Sequence, residues 1–126
     1  MNRIRKILII DDEIEICKAV ELFLKETEAY EPLFATTGNE GVQLAKQFKP
    51  DLILLDMLLP DISGTDVAME LKENPETLSI PVVFMTGLAT EEDLLITDHP
   101  YNHILPKPFS AEDVIIKIEE VLNAGE

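Results

Sequence analysis

The segment Asp51-Leu52-Ile53-Leu54-Leu55-Asp56 is the most uniformly apolar run in the chain, and an aspartate stands at each of its ends. A strand without polar alternation is expected to be buried on both of its faces. Such strands are typical of parallel sheets that are flanked by helices. The segment therefore favours an α/β fold built on a parallel sheet.

Shorter apolar runs alternate with amphipathic stretches on either side of this strand. The other predicted strands cover residues 7–10, 33–35, 81–86 and 103–105. The predicted helices cover roughly residues 13–26, 38–47, 64–73, 91–97 and 111–123. Thr37, Thr90 and Ser110 stand where a side-chain oxygen can cap the start of a helix.

Five strands that alternate with five helices indicate consecutive βαβ units, whose crossovers are almost always right-handed. Pro32 adjoins the second strand, and because proline cannot donate to a ladder, this strand is expected at an edge. The fold class that fits is a flavodoxin-like (βα)5 doubly wound parallel sheet with strand order 2-1-3-4-5, packed as a three-layer sandwich. This order places a topological switch point at the carboxyl ends of the first and third strands.

The composition indicates one globular domain over residues 1–126. The chain has 25 acidic and 10 basic residues, which gives a formal net charge of −15, and 46% of its residues are apolar. Because so acidic a surface repels phosphate groups, we expect no direct binding to nucleic acid or to an anionic membrane. Cys17 is the only cysteine in the sequence, so no internal disulfide can form. No apolar run reaches the roughly 20 residues that a helix needs to cross a bilayer. We expect a cytoplasmic protein.

Acidic residues stand at the predicted switch point. Asp11 and Asp12 directly follow the first strand, and Asp56 ends the third. Adjacent strands lie about 4.8 Å apart, so these carboxylates can converge, and their repulsion is relieved by protonation or by a bound cation. Oxygen ligands with room for water favour Mg²⁺. Lys107 after the fifth strand and Thr86 at the end of the fourth add a positive charge and a hydroxyl group on the same side of the sheet.

A carboxylate nucleophile, a divalent ion, a lysine and a hydroxyl donor are the groups that accepting a phosphoryl group requires, because this reaction depends on positioning and charge neutralisation. The residues taken one by one leave other interpretations open. Asp11 and Asp12 are also suited to capping the first helix, Lys107 to a solvated surface position, and Thr86 to an ordinary strand position. The prediction of a phosphoryl site depends on the whole set, with each member at the end of a different strand.

Five fragments, each weak by itself, form a strong pattern through their order and spacing. They are Ile7-Leu8-Ile9-Ile10-Asp11-Asp12-Glu13, Lys49-Pro50-Asp51-Leu52-Ile53-Leu54-Leu55-Asp56, Leu59-Pro60-Asp61-Ile62-Ser63-Gly64, Pro81-Val82-Val83-Phe84-Met85-Thr86-Gly87 and Pro106-Lys107-Pro108-Phe109. With these fragments the chain resembles a response-regulator receiver domain of two-component signalling, of the chemotaxis-regulator type. The resemblance extends from Lys6 to about Leu122.

The resemblance implies a role for each matching acidic residue. Asp56 would accept a phosphoryl group from the phosphohistidine of a histidine kinase or phosphotransfer protein. The reaction would need Mg²⁺, for which Mn²⁺ can substitute. Asp12, Asp56 and the backbone carbonyl of Leu58 would bind the ion directly. Asp11 would contact the ion through a water molecule or would support the groups that bind it.

The same resemblance implies the remaining groups of the site. Lys107 would pair with phosphoryl oxygens, Thr86 would hydrogen-bond one of them, and the bond between Lys107 and Pro108 would be cis. The protein would be a signalling switch rather than a metabolic enzyme, assisting its own phosphorylation and dephosphorylation. It would signal to a downstream effector, as a monomer or a weak homodimer.

Two departures from the family pattern concern the output of the switch. Ile104 stands where receivers commonly carry Tyr or Phe, and residues 98–102 replace the usual pair of small residues before the fifth strand. These departures support an alternative, a receiver-fold interaction module with little phosphorylation-dependent output. Measuring partner binding with and without a phosphoryl mimic would separate the two.

Unrelated enzymes on this fold class are a third interpretation, and the sequence fits them poorly. A haloacid-dehalogenase-type phosphatase needs a second aspartate where Leu58 stands. A flavin carrier needs a phosphate-binding loop after the first strand, where Asp11, Asp12 and Glu13 would repel a phosphate.

Overall fold

The structure, a computed structural model, describes residues 3–87 and 102–123. The helix expected over residues 91–97, with Thr90 as its cap, lies outside the described residues. The described elements follow the chain as β1 (Arg5–Ile10), α1 (Ile14–Thr27), β2 (Tyr30–Ala35), α2 (Gly38–Phe48), β3 (Leu52–Asp56), α3 (Gly64–Glu73), β4 (Val82–Thr86), β5 (Asn102–Pro106) and α4 (Ala111–Asn123).

The five strands form one parallel sheet in the order β2-β1-β3-β4-β5, which confirms the predicted topology. The central strand, β3, is buried along its whole length. Leu52 and Leu54 pack on one face of the sheet, and Ile53 and Leu55 pack on the other. The burial on both faces that the apolar run predicted is therefore confirmed.

The strand β2 lies at an edge of the sheet, as Pro32 predicted, with β1 as its neighbour. It begins at Tyr30, earlier than the sequence pattern indicated. Glu31 and Pro32 are poor strand formers, so the local pattern underestimates the strand. Pairing with β1, which places Arg5 opposite Tyr30 and Ile7 opposite Pro32, extends it.

Two hydrophobic clusters, one on each face of the sheet, produce the predicted three layers. On one face α1 and α4 contribute the buried side chains Cys17, Val20, Leu24, Val114, Ile118 and Val121. On the other face α2 and α3 contribute Val42, Ala45, Val67, Ala68 and Leu71. Within residues 3–87 and 102–123, no helix combines the length and the apolar character that crossing a bilayer requires.

Side-chain caps begin α2 and α4 where the sequence predicted them. Thr37 Oγ1 accepts a hydrogen bond from Glu40 N at 3.2 Å, and Ser110 Oγ accepts one from Asp113 N at 3.1 Å. The Asp113 carboxylate returns the contact by accepting from Ser110 N at 2.9 Å. In α2 the Glu40 carboxylate also accepts a backbone hydrogen bond, but its donor is Thr36 N, one residue before the cap residue Thr37, at 3.1 Å.

The loop between β3 and α3 folds back so closely that only glycine fits at Gly64. A Cβ atom there would clash with the backbone oxygen of Asp56 and would lie 2.8 Å from Met57 Cα. Gly64 N donates to the backbone oxygen of Met57 at 2.9 Å and closes the turn. The end of β3 therefore has its position fixed by the first residue of α3.

Substitution Gly64→Ala should lower the free energy of unfolding by about 1–3 kcal/mol, the range that overpacking typically costs. The loss is expected although alanine is the better helix former, since the clash is with backbone that cannot move alone. Urea unfolding of the purified protein measures it. Gly87→Ala is the matched control, because a Cβ there meets nothing within 4 Å. Equal destabilisation by the two substitutions would contradict this account of Gly64.

Candidate functional site

Three carboxylates meet at the carboxyl ends of β1 and β3. Asp11 and Asp12 follow β1, Asp56 ends β3, and one carboxylate oxygen of each lies within 4.8 Å of the others. The side chains of Asp11 and Asp56 are buried, whereas Asp12 is exposed. The structure therefore brings together the three acidic residues that the strand order predicted would converge.

Lys107 supplies the positive charge that opposes these carboxylates. Its Nζ lies 3.2 Å from Asp11 Oδ2 and 3.6 Å from Asp56 Oδ1. Only 18% of its side chain is exposed. Because a buried carboxylate without a partner is strongly destabilising, this ammonium group is essential to the arrangement.

The backbone around Lys107 ties it to the end of β4. Lys107 N donates to the backbone oxygen of Thr86 at 2.7 Å. Thr86 is buried and pairs with Pro106 across the β4–β5 ladder. The peptide bond between Lys107 and Pro108 is cis. Lysine and threonine thus stand at the ends of adjacent strands, on the side of the sheet that the sequence predicted.

Both oxygens of Asp11 have partners in the protein. Oδ1 accepts from Glu13 N at 2.9 Å, and Oδ2 accepts from Lys107 Nζ at 3.2 Å. Asp11 is completely buried, and its backbone oxygen accepts a hydrogen bond from Cys17 Sγ at 3.2 Å. Asp11 is therefore held in one orientation, whereas the exposed Asp12 faces solvent water.

The electrostatic environment sets the protonation of Asp56 and Lys107. Burial and, next, the charge of Asp11 raise the pKa of Asp56 to about 6, although Lys107 and the Leu58 N–H oppose the shift. That N–H lies 3.4 Å from Asp56 Oδ1. Burial by itself lowers the pKa of Lys107, but the nearby carboxylates of Asp11 and Asp56 outweigh it and raise the pKa above its ordinary value. At neutral pH the lysine is charged and Asp56 is mostly ionised.

The donor set suits a hard divalent cation. Among the described residues, the Lys107 ammonium group opposes this cluster of three carboxylates, so the negative charge is only partly balanced. Mg²⁺ usually takes one or two protein carboxylates and keeps several waters, and the exposed Asp12 leaves this site open to water. A cation here would replace the proton that the raised pKa of Asp56 otherwise favours.

Glu13 and Asp61 belong to this region, although the sequence patterns predicted no contact for either of them. The Glu13 carboxylate lies 3.6 Å from Lys107 Nζ. The Asp61 carboxylate accepts hydrogen bonds from Gly38 N and Asn39 N, at the start of α2. The position of Glu13 directly after two aspartates could have indicated that it belongs to the site. No local pattern could have indicated the contacts of Asp61, because its partners are distant in the chain.

One departure from the family pattern, Ile104, lies within the described part of the chain. Ile104 is half-buried on β5 opposite Phe84, and it packs against the cluster beneath α2 and α3. Of the segment 98–102, only the backbone of Asn102, which begins β5, lies within the described part of the chain.

An apolar groove of about 440 Å³ adjoins the carboxylates, between α1 and the loop after β5. Glu13 and Lys107 line it together with the apolar residues Ile16, Ala19, Val20, Phe23, Pro108 and Phe109. The charged site thus continues into an apolar surface.

The raised pKa of Asp56 makes its contribution to stability depend on pH. The value in the folded protein, about 6, exceeds the ordinary 3.8, so the folded state binds the proton more tightly than the unfolded chain. Its stabilising contribution is therefore complete below about pH 4 and is lost as the pH rises through about 6.

Substitution Asp56→Asn should accordingly stabilise the protein at pH 7.5 by about 1–2 kcal/mol, since one pKa unit corresponds to about 1.4 kcal/mol and water screens part of the shift. The gain should shrink towards zero below about pH 4. Urea unfolding of both proteins in EDTA at the two pH values measures it. A difference that does not change with pH would show that ionisation of Asp56 is not its cause.

Comparisons with known proteins agree with this geometry. A family model described as "Response regulator receiver domain" matches residues 7–119. The chain is 36% identical over 118 residues to the DNA-binding dual master transcriptional regulator RpaA of Synechocystis, covering 93% of this chain and 48% of that protein. It is 31% identical over 123 residues to the alkaline phosphatase synthesis transcriptional regulatory protein PhoP of Bacillus subtilis, covering 97% and 50%. The chain spans about half the length of the curated relatives it matches.

A solved structure shows the same fold. The Vibrio cholerae chemotaxis protein CheY4 matches with a TM-score of 0.88, covering 94% of this chain and 99% of that chain at 23% identity. That likeness establishes the flavodoxin-like architecture, and the family model covers most of the chain. The chain belongs to the response regulator receiver domain family, whose members are signalling switches of two-component systems.

Proposed function

We propose that Asp56 accepts a phosphoryl group from the phosphohistidine of a histidine kinase or phosphotransfer protein, and that the phosphorylated form alters binding to a downstream effector. The observation that carries the proposal is the position of Asp56, a buried carboxylate at a strand end with Lys107 Nζ at 3.6 Å. Two further aspartates lie within 4.8 Å of it, as a divalent ion would need.

The acceptor must be ionised to attack phosphorus. With a pKa of about 6, Asp56 is mostly a carboxylate at neutral pH. One of its oxygens forms the bond to phosphorus, while the histidine nitrogen leaves with the electron pair of the P–N bond. The product is an acyl phosphate, and its hydrolysis by water restores the aspartate. Such transfers depend mainly on positioning and electrostatic stabilisation.

Lys107 and Thr86 would stabilise the transferred group. Lys107 lies close enough to Asp56 to exchange a carboxylate partner for a phosphoryl oxygen. Thr86 is buried and directly follows Met85, the residue that pairs with Asp56 across the sheet. Its hydroxyl would donate to a second oxygen. Hydrogen bonds to a charged phosphoryl group are stronger than those between neutral groups. Shifting the balance between two conformations of the switch from 1:99 to 99:1 takes about 5.5 kcal/mol, and these bonds would supply part of that free energy.

Mg²⁺ is the proposed cofactor, with Mn²⁺ as a substitute. Asp12, Asp56 and the backbone carbonyl of Leu58 would hold the ion, and Asp11 would act through water, since both of its oxygens already have partners in the protein. When bound, the ion neutralises negative charge on the transferred group.

The apolar groove favours a protein as the phosphoryl donor. Glu13 and Lys107 belong both to the charged site and to the groove lining, so the two surfaces are continuous. A small anionic phosphodonor gains no binding free energy from an apolar surface beside the reacting carboxylate. A protein partner gains it by burying that surface. The groove therefore supports a kinase or phosphotransfer domain as the source.

A small-molecule phosphodonor such as acetyl phosphate should add one phosphoryl group to the protein when Mg²⁺ is present. Intact mass spectrometry measures the modified fraction. EDTA should reduce this fraction to background, and Asp56→Asn should abolish it, because an amide oxygen is not a sufficient nucleophile.

The matched control is Asp66→Asn, which changes an exposed aspartate in the first turn of α3 and should leave the modification intact. A mass shift that persists in Asp56→Asn, or a wild-type protein that is never modified, would refute the assignment.

A further inference from the structure

Asp61 fastens the loop after the acceptor aspartate to a different part of the molecule. The loop runs from Met57 to Ser63, between β3 and α3. Asp61 Oδ1 accepts from Gly38 N at 2.8 Å, and Oδ2 accepts from Asn39 N at 2.9 Å. These two N–H groups begin α2 and have no partner within the helix, so the loop caps α2 from outside it.

Close packing accompanies these hydrogen bonds. A Cβ atom at Gly38 would lie 2.6 Å from Ile62 Cγ1 and 2.8 Å from Val67 Cγ2. Side chains of the loop and of α3 therefore occupy the space that any other residue at Gly38 would need. The start of α2 is thus fitted to the loop both by polar contacts and by its missing side chain.

The charge of Asp61 is maintained by the same contacts. Hydrogen bonds from the backbone of Asn39 and Gly38 hold the pKa of Asp61 below its ordinary value. The positive end of the α2 dipole also favours a carboxylate at this place. Asp61 therefore remains an acceptor for both N–H groups at the pH values at which Asp56 is ionised.

The loop that carries Leu58 is held partly by its apolar residues, because Met57, Leu59 and Ile62 pack against the hydrophobic cluster beneath α2 and α3. The Leu58 side chain is 79% exposed, so packing does not fix it. Its backbone N–H contacts Asp56 Oδ1 at 3.4 Å. One end of the loop is held where Met57 N donates to the backbone oxygen of Met85 and Gly64 N donates to that of Met57. In the other part of the loop, the Asp61 carboxylate adds the two hydrogen bonds that join the loop to α2.

We propose that Asp61 is a positioning residue for the cation site, because its two hydrogen bonds to α2 hold the loop that carries Leu58 beside Asp56. This inference rests on the proposed function, in which the Leu58 carbonyl binds Mg²⁺. It assigns Asp61 no contact with the ion or with the phosphoryl group.

Titration of the protein with MgCl₂ alone, followed by ¹⁵N NMR, tests the proposal without any phosphodonor. Asp61→Ala should raise the Mg²⁺ dissociation constant about tenfold, the low end of what loss of an outer hydrogen-bond partner costs metal sites. Asp61→Asn keeps one acceptor oxygen and should give an intermediate value. This milder variant also serves if Asp61→Ala does not fold.

Glu40→Ala is the matched control. Its carboxylate is also exposed and also accepts a backbone N–H at the start of α2, but from Thr36 and not from the loop. It should lower the stability of the protein and leave the dissociation constant unchanged. An unchanged constant in both Asp61 variants, or an equal change in Glu40→Ala, would overturn the inference. A wild-type protein that binds no Mg²⁺ would instead contradict the proposed function itself.

Discussion

The properties of the site depend on the burial of two neighbouring carboxylates, Asp11 and Asp56, whose charges are opposed by Lys107. The register between β1 and β3 places Ile10 opposite Leu55, so the aspartates that follow these residues come side by side. Their mutual repulsion is opposed by Lys107, which reaches Asp11 at 3.2 Å and Asp56 at 3.6 Å. Every proposed property of the site follows from this unbalanced charge.

Such an arrangement destabilises the fold locally, and the rest of the molecule compensates. The four apolar residues of β3 are buried between two hydrophobic clusters, which fixes the strand whose last residue is Asp56. The Gly64 turn holds the backbone just beyond it. A rigid scaffold can maintain a carboxylate in surroundings that raise its pKa. A bound cation, or conversion to an acyl phosphate, then relieves the unfavourable interactions of that charged carboxylate.

Sequence patterns predicted those features of the fold and the site that arise within single elements or from the order of parallel strands. The apolar run of β3 predicted burial on both faces, and Pro32 predicted the edge strand. Asp11, Asp56, Thr86 and Lys107 could be grouped because parallel strands place their carboxyl ends together. The start of β2 at Tyr30 was missed, because pairing with β1 outweighs the weak strand preference of Glu31 and Pro32.

The contacts between loops were beyond prediction for a different reason. Asp61 meets Gly38 and Asn39 across more than twenty residues of sequence, and no periodicity links them. The Glu13–Lys107 ion pair likewise depends on where the loop after β5 crosses the start of α1. Distances of this kind follow from the packing of whole layers, which a residue pattern does not encode.

The claim that Asp56 exchanges a proton for a metal ion is tested most directly by calorimetric titration with MgCl₂ in buffers of different ionisation enthalpy. We predict one ion per chain, with proton release that is clear at pH 6 and falls to almost none at pH 7.5, because the pKa of Asp56 is raised to about 6. We also predict that the proton release disappears in Asp56→Asn. The absence of saturable binding, or binding that releases no proton at pH 6, would contradict this claim.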